Sequence, residues 1–348
     1  MIRDIKFLDK IIGSNYKPFL IAEMSGNHNQ SLERALAIVD AAAAAGADAI
    51  KLQTYTADTI TVKGAYTIND KDSLWKGKEL YDLYKEAYTP WEWHKPIFDH
   101  AAKRGLIAFS SPFDETAVDF LESLNVPLYK IASFENTDWT LLRKVAKTGK
   151  PVIMSTGVST IADMDESVRL LRENGCNDLV LLKCTSTYPS TPENTNLVTI
   201  PVIKSMFNCH VGLSDHTMGI GASIASVALG ASVIEKHFTL RRADGGVDSA
   251  FSLESEEFKS LSVETERAFL SLGKIQLGIQ DAEKKSLTFK RSLYAVEEIK
   301  EGEVFTSKNI ASKRPALGLH TKFIDVINGK KASKDIAIGT PIQWDLIV

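Results

Sequence analysis

The sequence predicts a (β/α)8 TIM barrel followed by a small β-rich domain. Three observations carry this reading. An amphipathic stretch, a glycine and a short apolar run recur along the chain; eight such runs fit within the size of one barrel; and the pattern breaks after Gly273.

The first repeat shows the logic. Leu32, Ala35, Leu36, Val39 and Ala42 share one helical face, Gly46 follows as a helix stop, and AIKLQTY (49–55) comes next. Gly105, Gly149, Gly175 and Gly230 likewise precede apolar runs. The predicted strands are 19–24, 49–55, 106–113, 128–133, 151–157, 179–186, 210–215 and 232–239. Apolar runs without polar alternation mark strands buried on both faces of a parallel sheet. Eight of them in about 250 residues match a closed barrel. The rival, an open doubly wound sheet, usually carries GxGxxG after its first strand, and AEMSGNHNQ does not fit it.

After Gly273 the segments RSLYAVEEI, EGEVF, SKRPALGLH, VINGKKA and DIAIGTPI are short, β-like and punctuated by Gly or Pro. The expected division is a barrel over 1–273, a linker over 274–287 and a β-rich domain over 288–348. A core of that size is marginal alone, so the small domain is expected to pack on something else.

Composition narrows the function classes. The 348 residues carry a formal net charge of -3, so no global field draws in nucleic acid or an anionic membrane. An anionic ligand must be held by a local cluster. Three cysteines without a CxxC pair suit a reducing compartment. MIRDIKFLDK has no apolar signal region, and the alanine run around Gly46 is too short to span a bilayer. The expectation is a cytoplasmic protein.

Barrel active sites lie at the C-terminal ends of the strands. Lys51, Lys130, Lys183 and Lys236 fall on the even-numbered strands, and small hydroxyl residues close strands three to seven. These are Ser110, Ser111, Ser133, Ser155, Thr156, Thr185, Ser186 and Ser214. Ammonium groups with hydroxyl donors make a site for phosphate or carboxylate. The bland alternative is that they merely solvate and cap the strand ends. His216 and His237 follow neighbouring strands and can converge on one ion, although their spacing matches no metal motif. Two imidazoles completed by water, substrate oxygen or a carboxylate suit Mn²⁺, Co²⁺, Fe²⁺ or Zn²⁺. Glu23 ends the first strand, where it can act as general base or pair with a strand-end lysine. Asn27, His28 and Asn29 follow it, Gln53 shares the Lys51 face, and Glu135 and Asp248 are further loop acids.

Nine strings in order, AEMSGNHN, KLQTYT, FSSPFD, YKIASFE, STG, KCTSTYPS, VGLSDHT, IEKHFTL and KRPALGL, resemble the sialic acid synthase family over nearly the whole chain. The resemblance implies a barrel followed by an antifreeze-like (SAF) domain. Within the family, AEMSGNHN, SLWKGKELYDLYKEAYTPWEWH and GGVDSAFSLE are most similar to the pseudaminic acid branch. Met24, Ser25 and Gln30 depart from the N-acetylneuraminate form AEIGxNHNG, and Gly26 stands where the pseudaminic branch usually has Ala.

The resemblance further implies condensation of phosphoenolpyruvate with an N-acetylated hexose, 2,4-diacetamido-2,4,6-trideoxy-L-altropyranose in that branch, with loss of phosphate by C–O cleavage. Precursors of legionaminic or N-acetylneuraminic acid are the alternatives. By carry-over, Lys51, Lys130, Ser111, Ser133, Ser155, Ser186 and Ser214 hold phosphoenolpyruvate. His216 and His237 hold a divalent metal, Mn²⁺ with Co²⁺ or Mg²⁺ as alternatives. Glu23, Gln53, Glu135, Tyr188 and Asp248 surround the sugar and the attacking water. The family pattern is a domain-swapped homodimer in which the small domain lends an arginine, here Arg314, to its partner's barrel. Two rival classes remain at this stage: a Schiff-base aldolase with a strand-end lysine as nucleophile, and a sugar-binding protein without catalysis.

Overall fold

The structure, a computed structural model, describes residues 2–71 and 73–348. The chain forms two compact units, Met1–Gly273 and Lys274–Val348.

The first unit opens with an antiparallel hairpin, β1 (Ile5–Phe7) and β2 (Lys10–Ile12). Eight parallel strands then close into a barrel: β3 (Phe19–Glu23), β4 (Ala49–Thr54), β5 (Ile107–Pro112), β6 (Tyr129–Ile131), β7 (Val152–Ser155), β8 (Leu179–Cys184), β9 (His210–Asp215) and β10 (Val233–His237). These are the eight apolar runs of the sequence, trimmed by up to three residues at their ends. Each crossover carries a helix, and the first, Leu32–Ala44, is capped by the Ser31 side chain, which accepts from the Arg34 amide. Gly46 then takes φ +83°, a conformation few side chains adopt, and turns the chain into β4.

The closing seam is β10 against β3, with His237 opposite Glu23 and Glu235 opposite Ile21. On its other side β10 pairs with β9, where Gly212 lies opposite Val233. A Cβ on Gly212 would fall 2.2 Å from the Val233 carbonyl oxygen, so only glycine allows these strands their approach.

Side-chain alternation divides the barrel. Leu20, Ala22, Ile50, Leu52 and Ile234 face the helices, and so do Tyr129, Ile131, Met154, Leu181, Val211 and Leu213. Phe19, Ile21, Ala49, Phe109, Ile153, Val180, Leu182 and Val233 fill the interior, together with Ile5, Phe7 and Ile12 of the hairpin. The hairpin thus closes the N-terminal end with an apolar plug. The buried lysines and glutamates of the interior gather toward the opposite end.

The second unit has its own core of Leu293, Ile299, Phe305, Ile310, Ile327, Ile336 and Ile342. Its β character is expressed as one two-stranded sheet, β11 (Ser292–Ala295) with β12 (Ile310–Lys313), and as single bridges such as Ile299–Ile336 and Val304–Lys331. The expected β segment VINGKKA begins instead in a short helix, Ile324–Ile327, because Ile327 must turn into the core. A 3-10 helix, Asp281–Phe289, covers much of the stretch read as linker. No helix among the described residues is long and apolar enough to cross a membrane.

Candidate active site

Period-2 alternation on β3, β4, β6 and β10 aims Glu23, Lys51, Lys130 and Glu235 into the barrel, above the apolar plug. All four are buried. Lys51 Nζ lies 2.7 Å from Glu23 Oε2 and 3.8 Å from Glu235 Oε1, and Lys130 Nζ lies 3.6 Å from that same Glu235 oxygen. Lys51 donates to Ser111 Oγ (3.2 Å), Lys130 to Ser155 Oγ (2.8 Å), and Ser214 Oγ to Glu235 (3.4 Å). The result is a neutral layer of two ammonium and two carboxylate groups fringed by three hydroxyls.

Burial works against every charge here, and neighbours decide the outcome. Burial lifts the Glu23 carboxyl above the usual range, against the pull of Lys51. Glu235 is driven down instead: burial opposes ionisation, but Lys130 and Lys51 both favour it. Burial disfavours the Lys51 ammonium, yet Glu23 and Glu235 hold its pKa above normal. Lys130, with less compensation, falls below normal.

A second cluster sits nearby at the ends of β6, β7 and β8. The Gly157 amide donates to Ser133 Oγ at 3.2 Å, and a Cβ on Gly157 would lie 2.2 Å from Ser186 Oγ and 2.7 Å from Ser133 Oγ. The absent side chain leaves a concave turn flanked by two serines, a shape suited to an oxyanion.

The rim is polar on one side and aromatic on the other. Gln53 Nε2 donates to Glu23 Oε1 (2.9 Å) and to Ser25 Oγ (3.0 Å), and Ser25 Oγ donates to Asp248. Burial raises the Glu135 carboxyl to about 7, and its Oε2 is buried with no hydrogen-bond partner among the described residues. Tyr188 packs on His216 with ring centroids 4.6 Å apart, and Trp75 packs on Tyr188 at 5.9 Å.

His216 and His237 face one another, centroids 5.3 Å apart. His216 Nδ1 lies 3.1 Å from the Thr185 carbonyl oxygen. A carbonyl only accepts, so that geometry assigns a proton to Nδ1 and makes Nε2 the nitrogen that could serve as a ligand. His237 lies against Phe251 at 4.9 Å, and its Nδ1 is buried without a partner. Among the described residues no three His, Cys, Asp or Glu side chains gather at metal-ligand spacing. One oriented imidazole and one with an orphaned buried nitrogen nevertheless fit an open site, in which solvent or substrate oxygens complete the shell.

Several strand-end residues of the sequence reading lie elsewhere. Lys236 faces the helices and pairs with Asp215 at 2.9 Å. Lys183 donates to the Cys184 carbonyl and to Thr185 Oγ1, outside the four-charge layer. Ser110 bonds Thr54, which bonds His94, on the outer face. Thr156 donates to the Leu182 carbonyl and Thr185 to that of Asn194. Asn27 ties the first loop to Phe238 and Ser252, Asn29 reaches the Gly245 carbonyl, and His28 is buried against Trp93. Asn27 and Asn29 steady the loop that carries Asp248, whereas His28 packs the first loop against Trp93 and Thr89. Arg314 is exposed on the second unit, with no ion-pair partner among the described residues.

The sequence reading did not single out Glu235, Gly157, Trp75 or Phe251. Glu235 was recoverable, since alternation in IEKHF places it on the face of His237.

A barrel whose mouth combines buried ammonium groups, a serine-lined oxyanion turn and a histidine pair is an enzyme site for phosphorylated or carboxylated substrates. Comparison with known proteins gives the class a name. Residues 38–276 match the NeuB family and residues 290–348 the SAF domain, and the chain belongs to the NeuB family.

Relatives include the pseudaminic acid synthase of Campylobacter jejuni (serotype O:2), 47% identical over 94% of this chain and 96% of that protein. That of Helicobacter pylori is 42% identical over 94% and 97%. The N,N'-diacetyllegionaminic acid synthase of the same C. jejuni strain is 36% identical over 92% and 97%. Among solved structures, the N-acetylneuraminic acid synthetase of Leptospira borgpetersenii in complex with citrate superposes with a TM-score of 0.75. It is 32% identical, over 82% of this chain and 96% of that one.

The buried Glu135 carboxyl generates a pH prediction. The folded protein holds this proton more tightly than the unfolded chain, so Glu135 subtracts stability as pH rises from 4.5 to about 7, and no further above that. Urea unfolding should find Glu135→Gln equal to the parent near pH 4 and more stable by on the order of 3 kcal/mol at pH 7.5. Parallel stability curves would show that the carboxyl is not desolvated.

Proposed function

We propose that this chain is a phosphoenolpyruvate-dependent nonulosonic acid synthase that condenses phosphoenolpyruvate with 2,4-diacetamido-2,4,6-trideoxy-L-altropyranose. The four-charge layer beside the Gly157 turn is the observation that carries the reading, because it supplies fixed cations and hydroxyls where a carboxylate and a phosphate would lie. The choice of sugar rests on similarity: identity to pseudaminic acid synthases exceeds that to the diacetyllegionaminic acid synthase.

In this reading Lys51, Lys130, Ser111, Ser155 and Ser214 hold phosphoenolpyruvate from below, and Ser133 and Ser186 hold it at the Gly157 turn. Fixed donors in a water-poor site stabilise the anion and the departing phosphate without reorganising. Gln53, Glu135, Tyr188 and Asp248 orient the open-chain sugar so that its aldehyde carbon meets C3 of phosphoenolpyruvate. The C2=C3 π pair forms the new C–C bond and leaves C2 cationic. Water adds there, giving a proton to Glu23, whose carboxyl titrates unusually high. The tetrahedral carbon collapses to a ketone as the C2–O bond to phosphate breaks, the two protons of the water ending on the former aldehyde oxygen and on the phosphate. His216 and His237 would hold a divalent ion, Mn²⁺ in our assignment. When bound, that ion supplies Lewis-acid polarisation of the aldehyde oxygen. Arg314 of a second subunit completes the mouth in a cytoplasmic, domain-swapped homodimer.

Phosphate release from phosphoenolpyruvate and Mn²⁺ should occur with the trideoxy-altrose sugar and stop with EDTA. Turnover with N-acetylmannosamine but not the altrose sugar would refute the substrate assignment, and EDTA-insensitive turnover would refute the metal.

Arg314→Ala should bind Mn²⁺ normally and lose at least ~100-fold in kcat. Mixed with a Lys130→Met variant, it should recover about a quarter of parental activity, since half the dimers would carry one intact composite site. No recovery on mixing would exclude sharing between subunits.

A further inference from the structure

Directly behind the histidine pair lies a second, separate charge pair. Asp215 ends β9 and Lys236 is the penultimate residue of β10; the two are partners in the parallel ladder. Both side chains are fully buried, with Lys236 Nζ 2.9 Å from Asp215 Oδ2. Alternation turns both away from the barrel interior, so neither touches the four-charge layer.

Their remaining bonds converge on one segment. Lys236 Nζ donates to the Thr217 carbonyl. Asp215 Oδ1 accepts from the Thr217 amide at 2.8 Å and from Thr217 Oγ1 at 2.7 Å, and Oδ2 accepts from Ser223 Oγ at 2.6 Å. His216 is therefore bracketed: the residue before it and the residue after it are both bound to Lys236, and the residue after Lys236 is His237. Three residues of one strand end and two of the next form a single hydrogen-bonded knot whose outward projections are the two imidazoles.

His237 makes the consequence sharp. His216 has the Thr185 carbonyl to orient its ring, but His237 has no hydrogen bond to either ring nitrogen among the described residues. Beyond ring packing on Phe251, its position is inherited from backbone: the Phe238 amide on the Glu23 carbonyl, the Leu253 amide on its own carbonyl, and the Lys236 anchor. As a source of stability alone the pair is poorly explained, because replacing a buried ion pair with neutral groups of similar volume is often neutral or stabilising. What apolar groups cannot reproduce is a directional link between the two strand ends.

We infer that the buried Asp215–Lys236 pair is a positioning device that sets the separation and aim of His216 and His237, and thereby the affinity for a divalent cation, without contacting metal or substrate. This rests on the reading above that the two histidines hold the ion. Asp215 and Lys236 are positioning residues, and metal affinity is the property they control.

The test uses the full-length, metal-stripped protein and the double variant Asp215→Asn/Lys236→Met, which leaves no net buried charge. Free Mn²⁺ is followed by electron paramagnetic resonance, phosphoenolpyruvate binding by calorimetry without metal, and folding by circular dichroism. The expected result is an Mn²⁺ Kd raised about 10- to 100-fold, as for other groups that orient ligands from behind, with phosphoenolpyruvate affinity changed by less than about twofold. An unchanged Mn²⁺ Kd in the folded variant would overturn the inference, as would equal loss of Mn²⁺ and phosphoenolpyruvate binding.

If the double variant does not fold, Thr217→Val removes one tie beside His216 and keeps the ion pair. Weaker Mn²⁺ binding with intact phosphoenolpyruvate binding supports the positioning role, and unchanged Mn²⁺ binding rejects it. Failure of the parent protein to take up Mn²⁺ would refute the histidine assignment itself, a result separable from failure of the positioning role.

Discussion

Two lysines and two glutamates buried in one layer of the barrel set the terms for everything around them. At the separations found, 2.7 to 3.8 Å, each attraction is worth several kcal/mol at an effective dielectric near 20, and desolvation consumes much of it. The layer is tolerable because it is neutral and fringed by hydroxyls. It is effective because Phe19, Ile21, Phe109, Val180 and Leu182 seal it from below. Any anion entering from the mouth meets cations already fixed in place, competing with carboxylates that a proton or a shift of partner can quiet.

The same alternation that builds this layer separates two kinds of charge. On β10, Glu235 and His237 point inward and Lys236 points outward; on β9, Ser214 points inward and Asp215 outward. Inward groups are positioned to meet ligands, and outward ones tie strand ends together. Adjacent residues one position apart in sequence thus do unlike jobs. A one-residue slip of β10 would exchange them and destroy the site.

Much of this was legible in the sequence, and the limits have physical causes. The eight barrel strands were visible because a strand buried on both faces must be apolar nearly throughout, and each is preceded by a helix stop such as Gly46. That same uniformity hides which face a polar residue takes at the strand end. Ser110 and Ser111 look alike in FSSPF, yet Ser111 accepts from Lys51 and Ser110 serves the Thr54–His94 chain outside. Lys236 looked like Lys51 and Lys130 until its register partner, Asp215, was known. Glu235 was passed over beside a histidine, although period-2 counting from His237 reaches it. Asn27 and His28 stand in a motif that promises chemistry, yet Asn27 holds a distant loop and His28 packs against Trp93 and Thr89. In the small unit, short bridges replaced strands because few residues must surround a compact core, so the hydrophobic period never runs long enough to read.

The most direct test of the central claim is phosphoenolpyruvate affinity, by calorimetry, in Lys130→Met/Glu235→Gln. This variant removes one cation and one anion from the layer and keeps its neutrality. If the layer is what holds the anion, Kd rises at least ~100-fold, the loss of roughly 3 kcal/mol that a desolvated charged contact supplies, while circular dichroism stays that of the parent. A folded variant that binds phosphoenolpyruvate as tightly as the parent would contradict it.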